Sequence, residues 1–169
     1  MTREGALIVT VIAALALVVL GVWAWRRRAR RDSAFVAPVA EAPDGAAVLA
    51  VFASLYVATT RHGEPLERLA VKGLAFRSRA DVTVTDAGVA IDLTGQPRVF
   101  VDVARILDVA QSTVAIDRVV ERDGLTRLSW RTDDGSVVDS YFRPQDASAR
   151  ALADAVSGIL LPSQTGTDA

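Results

Sequence analysis

The sequence predicts an N-terminal transmembrane helix followed by one mainly β domain, about seven antiparallel strands closed by a C-terminal amphipathic helix. Three observations carry this. An uncharged run fills residues 5–25 and arginines follow it at once. Short apolar stretches of alternating pattern, divided by breaks rich in Gly, Asp and Pro, occupy the middle of the chain. After Arg143-Pro144 the apolar spacing changes to the helical period.

The run at 5–25 has the length of a membrane crossing, since a helix of about 20 residues spans the roughly 30 Å hydrocarbon core. Trp23 and Trp25 stand at its C-terminal end, where indole rings favour the headgroup boundary. Arg26, Arg27, Arg28, Arg30 and Arg31 follow, against a single Arg3 offset by Glu4 at the other end. The positive-inside tendency therefore predicts a single-pass protein of the cell membrane with its N-terminus out and its C-terminal domain cytoplasmic. A cleaved signal peptide would carry charge before the apolar run and a small-residue site directly after it. Here the charge comes after, and the first Ala-x-Ala nearby, Ala40-Glu41-Ala42, lies well downstream. The arginines read as a topology signal and surface anchor, each contributing about 1 kcal/mol beside an anionic leaflet of the lipid bilayer.

Residues 26–45 read as an Arg-rich juxtamembrane segment and linker, because 32–45 combine two prolines and small residues without periodicity. The folded domain is expected over 46–161. Residues 52–60 are apolar, aromatic and β-branched, the pattern of a buried first strand. Arg61-His62-Gly63-Glu64-Pro65 breaks it, and 66–73 read as a loop or short helical turn. Residues 80–85 and 89–93 alternate on either side of Asp86-Ala87-Gly88, which predicts a hairpin. Thr94-Gly95-Gln96-Pro97 is the next break, and 99–109 offer a strand that bends near Ala104. Strands at 118–121, 125–132 and 137–142 complete the set. The last two are joined by Asp133-Asp134-Gly135-Ser136, a hairpin signal because Asp-Gly readily supplies the backbone a tight turn needs. Trp130 and Tyr141 are expected near one another on this ladder. Leu152, Val156, Ile159 and Leu160 form one apolar stripe, so 145–160 are expected as a helix with Pro144 in its first turn and Asp146 at its positive end. Pro162 ends it, and 162–169 are expected to be disordered.

Composition narrows the function. The 169 residues are 51% hydrophobic, and the mean hydropathy of +0.29 owes much to the first 25. Residues 32–169 hold 13 basic and 19 acidic side chains, a net of −6 that disfavours nucleic acid, whose phosphates need a basic face. The chain has no cysteine, which excludes disulfides, thiolate metal sites and cysteine nucleophiles. Phosphate-cradling motifs of the Gly-x-x-x-x-Gly-Lys-Ser/Thr and Gly-x-Gly-x-x-Gly types do not occur. His62, the only histidine, sits in a Gly-Pro-flanked turn without a nucleophile elbow and reads as an exposed loop residue. Asp133 and Asp134 read as turn residues rather than metal ligands. The chain is therefore expected to be no enzyme, with no cofactor and no metal.

Tyr56-Val57-Ala58-Thr59-Thr60, Gly73-Leu74-Ala75-Phe76-Arg77, Leu128-Ser129-Trp130-Arg131 and Asp139-Ser140-Tyr141-Phe142-Arg143 follow in this order behind the N-terminal span. In this the chain resembles a family of actinobacterial membrane-anchored proteins with a PH-like domain, loosely labelled as export, transport or membrane proteins. One lysine against eighteen arginines also fits a GC-rich bacterial genome. The resemblance implies a PH-like barrel facing the cytoplasm and brings no catalytic or ligand residues with it; the domain is therefore read as a non-catalytic binding or adaptor module. A single span forms no transport path, so a transport label implies an accessory subunit.

Two binding modes follow. Arg61, Arg68, Lys72, Arg77 and Arg79, against Glu64 and Glu67, make a local +3 in an otherwise acidic domain, placed where lipid-binding PH domains hold phosphates. Such a group is either a site for an anionic lipid headgroup or a solvated loop. The other mode, preferred here, is a membrane-protein partner bound through loops or an exposed strand edge. Trp130, Tyr141 and Phe142 would be its aromatic anchors unless they belong to the core.

Overall fold

The computed structural model describes residues 3–32, 37–69, 71, 74, 77–115, 118–119 and 124–160. They fall into two compact units, Met1–Ala34 and Phe35–Ala169. In the first, helix α1 (Arg3–Asp32) is one uninterrupted run of 30 residues. It continues through the arginines, which favour helix intrinsically, so the juxtamembrane part of the expected 26–45 linker is helical to Asp32. Arg27 lies 5.4 Å from the centre of the Trp23 ring, a cation–π contact at the predicted interface position. The side chains of Trp25, Arg28, Arg30 and Arg31 lie outside the described residues. Among the described residues, whose side chains within α1 begin at Val11, no helix is long and apolar enough to cross a membrane.

The second unit is an antiparallel sheet with one helix. Its strands are β1 (Val48–Arg61), β2 (Glu64–Arg68), β3 (Ser78–Thr85), β4 (Gly88–Leu93), β5 (Val99–Asp102), β6 (Ile106–Ser112), β7 (Val114–Ala115), β8 (Arg118–Val119), β9 (Leu125–Arg131) and β10 (Val137–Pro144). The main sheet runs β5-β4-β3-β1-β10-β9-β6, with β2 folded back on the end of β1; among the described residues β7 and β8 pair only with each other. The expected barrel is thus an open sheet, because β5 and β6 end the order without pairing. The expected strand at 99–109 does break near Ala104, at a 3₁₀ turn over Val103–Arg105 capped by Asp102, whose carboxylate accepts the Ala104 N–H at 2.8 Å. Its two halves became the opposite edges of the sheet. The strand expected at 118–121 is described only as β8, and 120–121 lie outside the described residues, as do 162–169.

Alternation sets the core. Phe52 and Tyr56 of β1 turn inward, and so do Val82, Val84, Ile91, Trp130, Val138 and Phe142. The β3–β4 hairpin is as predicted, with Val82 opposite Ile91 and Thr85 opposite Gly88. The β9–β10 hairpin is also as predicted, and Gly135 supplies the left-handed φ of 83°. Trp130, however, pairs with Val138 while Tyr141 pairs with Arg127. An odd offset between rungs puts the two aromatics on opposite faces, so they do not meet as expected. All three expected anchors are core: Trp130, Tyr141 and Phe142 are 0–2% exposed.

Helix α2 (Ala149–Leu160) starts later than the expected 145. Pro144 instead ends β10 opposite Ser54, and the Asp146 carboxylate accepts the Ala53 N–H at 3.3 Å. Ser148 caps the helix, its Oγ accepting from Ala151 N at 3.1 Å. Leu152 and Val156 of the predicted stripe close the core, with Ile159 and Leu160 against it. The domain also begins earlier than the expected 46. Ala37 is fully buried, Val39 bridges Val99, and Pro38 O accepts from Phe100 N at 3.1 Å. Residues 37–41 of the expected linker are therefore laid along the outer edge of β5.

Candidate functional site

The structure divides the five-residue basic group. Arg61 closes β1 and stands 3.8 Å from Glu64 and 3.7 Å from Glu67. A hydrogen bond that its protonated form donates to Glu67 holds the Glu64 carboxyl above its usual range, the mark of crowded acids around one cation. Arg68 ends β2, opposite Thr60. Lys72 lies outside the described residues. Arg77 and Arg79 are exposed, Arg79 on the outer face of the sheet opposite Leu55, and neither has an ion pair among the described residues. The strand register adds a cation that sequence reasoning missed. Leu55 lies between Arg79 on β3 and Arg143 on β10.

The segment carrying this group is nailed to the sheet. Leu69, Val71 and Leu74 are 0–1% exposed. The Tyr56 hydroxyl donates to Leu74 O at 2.6 Å and lies 2.8 Å from Thr59 Oγ1. The chain continues through Ser140 Oγ, 2.7 Å from Thr59 Oγ1, to Trp130 Nε1, which donates to Ser140 Oγ at 3.0 Å. Burial pushes the Tyr56 hydroxyl well above the ordinary tyrosine range, so it stays a neutral donor.

A second cluster joins residues far apart in sequence. Asp139 Oδ1 lies 2.9 Å from His62 Nδ1 and accepts from Ser129 Oγ at 2.6 Å, while its Oδ2 takes the Gly63 N–H at 3.4 Å. The Asp139 side chain is 3% exposed and that of His62 51%. The three residue types are those of a hydrolase triad, but the order is wrong. A triad needs imidazole between carboxylate and hydroxyl to take the hydroxyl proton; here the carboxylate stands in the middle and the serine donates to it. The arrangement clamps the β1–β2 turn to β10 and β9. The sequence held one signal of it, a charged residue within the otherwise uncharged run 137–142.

The two edges of the sheet differ. On β5, Val39 and Pro38 cover the main chain and Arg98 fixes them there, 2.8 Å from Glu41 and 2.7 Å from Asp92. The outer edge of β6 has no partner strand among the described residues, and α2 packs beside it. Leu107 on that edge is 46% exposed. A cleft of about 570 Å³ opens over the outer side of β1 and β3, lined by Ala53, Leu55, Arg79, Asp81, Asp92 and Gln145 among others. Among the described residues no group of His, Cys, Asp and Glu could hold a metal ion.

Comparison with known proteins agrees with the topology. A family described as "Bacterial PH domain-like" matches residues 35–157, which reach from the strap on β5 to the third turn of α2. Among curated proteins nothing matches. Among solved structures, the C-terminal domain of an unknown protein from Leishmania infantum is similar over 69% of this chain and 87% of its own length, at 13% identity and a TM-score of 0.44.

Proposed function

This chain belongs to the bacterial PH domain-like family, and from that premise we propose that it is a membrane-anchored, non-catalytic adaptor whose β6 edge receives an extended segment of a membrane-protein partner. PH-like domains are typically binding modules, in keeping with the Ser129–Asp139–His62 geometry. The observation that carries the reading is the unequal treatment of the edges. An unpaired edge is a template for another strand, and proteins cover the edges they do not use. Here a strap covers β5, while β6 has no partner strand among the described residues and lies beside an amphipathic helix, the setting in which main-chain pairing gives affinity and neighbouring pockets give specificity. Anchoring rests on the sequence: the uncharged run at 5–25, Trp23 and Trp25 at its end and the arginines after it put the domain at the inner face of the cell membrane. Tethering there raises the effective concentration of the domain near other membrane proteins. An accessory role in an export or transport system is one form such an adaptor takes.

A photo-crosslinking residue at Leu107, introduced into the full chain in cells, tests this. An adduct with a membrane protein, lost when the exposed Gln111 is changed to Lys and missing from a probe at Val39, is the expected result. Equal labelling from Leu107 and Val39, or none from Leu107, refutes the edge as the docking site.

A second reading is capture of an anionic headgroup, favoured by the exposure of Arg77 and Arg79 without an ion pair. It requires Arg77→Glu/Arg79→Glu to abolish binding to anionic vesicles, with steep salt dependence in the unchanged chain.

A further inference from the structure

Strand β1 is apolar on both faces, and among the described residues the fold leaves its outer face uncovered from Val51 to Leu55, whereas Val57 packs against the buried Leu125 and Tyr141. Phe52 and Tyr56 are buried inward, whereas on the outer side Val51 is 57% exposed, Ala53 is exposed, and Leu55 and Val57 are half-buried. Antiparallel strands with one wet face normally alternate apolar and polar residues; an apolar outer face is the pattern of a covered one.

The charges around this stripe form two rows, fixed by register. Leu55 is flanked by Arg143 and Arg79. Two residues back along β1, Ala53 is flanked by Asp81 on β3 and by Asp146, which holds its N–H. A basic row, Arg143–Leu55–Arg79, thus lies beside an acidic row, Asp146–Ala53–Asp81, about 7 Å away at the rise of a strand. Arg79, Arg143 and Asp81 have no ion pair among the described residues.

Such a pattern is complementary to itself. Rotation by 180° about an axis lying between the rows, parallel to them and in the plane of contact, sets each row over the other row of the second copy and keeps the columns. Arg79 then faces Asp81, Arg143 faces Asp146, and Leu55 faces Ala53. We propose that this face is the isologous interface of a two-fold dimer of the chain. The occupant follows from charge: an anionic bilayer would be repelled by the acidic row, whereas a second copy pairs both rows at once. The cleft over Ala53 and Leu55 gives the long arginine side chains of the other copy room to reach the acids.

The test uses the full chain in mild detergent, with association followed by analytical ultracentrifugation. The unchanged chain is expected to dimerise. Arg79→Glu and Asp81→Arg each place two like-charged pairs across the two-fold axis, and each is expected to weaken the dimer at least about tenfold. Mixing the two variants restores association, because the new carboxylate at 79 meets the new guanidinium at 81 while the original Asp81 meets the original Arg79. That rescue also shows that both variants fold. A chain that stays monomeric, a dimer indifferent to both substitutions (as one made through α1 would be), or a monomer that binds anionic vesicles through Arg79 overturns the proposal.

Discussion

Gly88 begins β4 directly after the Asp86-Ala87 turn, with φ of +153°. A Cβ there would meet Val101 O at 2.3 Å, where side-chain carbons essentially never approach within 3.0 Å, and would touch Asp102 Cα and the Phe100 ring at 3.0 Å. The first of these is backbone, so Gly88→Ala cannot be relieved by turning a side chain. Strand β5 must move away, straining the Gly88–Asp102 rung and the 2.9 Å bond from Val103 N to Ala87 O. Overpacking costs about 1–3 kcal/mol and the disfavoured φ about 1–3 kcal/mol more, so a loss of about 4 kcal/mol is expected. Gly95→Ala is the control. Gly95 also has positive φ, +76°, but nothing lies within 4 Å of its added carbon, so only the conformational cost of about 1 kcal/mol applies. With a urea slope of about 2 kcal/mol per molar, the unfolding midpoint should fall by about 2 M for Gly88→Ala and about 0.5 M for Gly95→Ala. Urea titration of the full chain in detergent, with Trp23 and Trp25 changed to Phe so that buried Trp130 reports alone, measures both. Equal shifts would show that strand β5 does not lie where the steric argument needs it.

Two further outcomes follow from the buried polar groups. The Tyr56 hydroxyl is held neutral by burial, and burial raises Tyr141 as well, with Asp139 adding to the effect. A tyrosine raised in the folded state stabilises fully below its unfolded value, about 10, and less as pH climbs past it. Urea midpoints should therefore fall above about pH 10, and less steeply in Tyr56→Phe, which near neutral pH should itself lose about 1 kcal/mol with its bond to Leu74 O. Asp139→Asn removes the charge that Ser129, His62 and Gly63 converge on. It should cost about 2 kcal/mol by the same titration and speed amide exchange at Gly63. Unchanged exchange there would mean that Asp139 does not clamp the turn.

Much of the fold was legible because local pattern and tertiary role agreed. The β3–β4 and β9–β10 hairpins followed from alternation about Asp86-Ala87-Gly88 and Asp134-Gly135, and Leu152 and Val156 from helical spacing. Where side chains or main chain answer to partners far away, the sequence misled. β2 was hidden because Pro65 reads as a break, although at an edge it need not donate a ladder bond. Pro144 likewise reads as a helix start, but it ends β10. The segment 37–41 has no periodicity of its own, and its order comes from the main chain of β5. The bend near Ala104 was visible; that its two sides would become the two outer edges of the sheet was not. Of the basic group, the sequence placed the arginines but not their company. Glu64 and Glu67 gather on Arg61, while Arg143 comes to flank Leu55 opposite Arg79 only through the register of β10.

By itself the sequence determined the two main hairpins, the apolar stripe of the C-terminal helix, the uncharged N-terminal run with its arginines, and the lack of thiol chemistry, because periodicity, charge and composition are local properties of the chain. The tertiary structure alone decided that the sheet stays open, that its β5 edge is covered while β6 has no partner strand among the described residues, that Asp139 collects His62 and Ser129, and that basic and acidic rows lie side by side across β1. Each of these depends on pairing between residues distant in sequence, and a shift of one residue in register would turn every side chain involved to the other face.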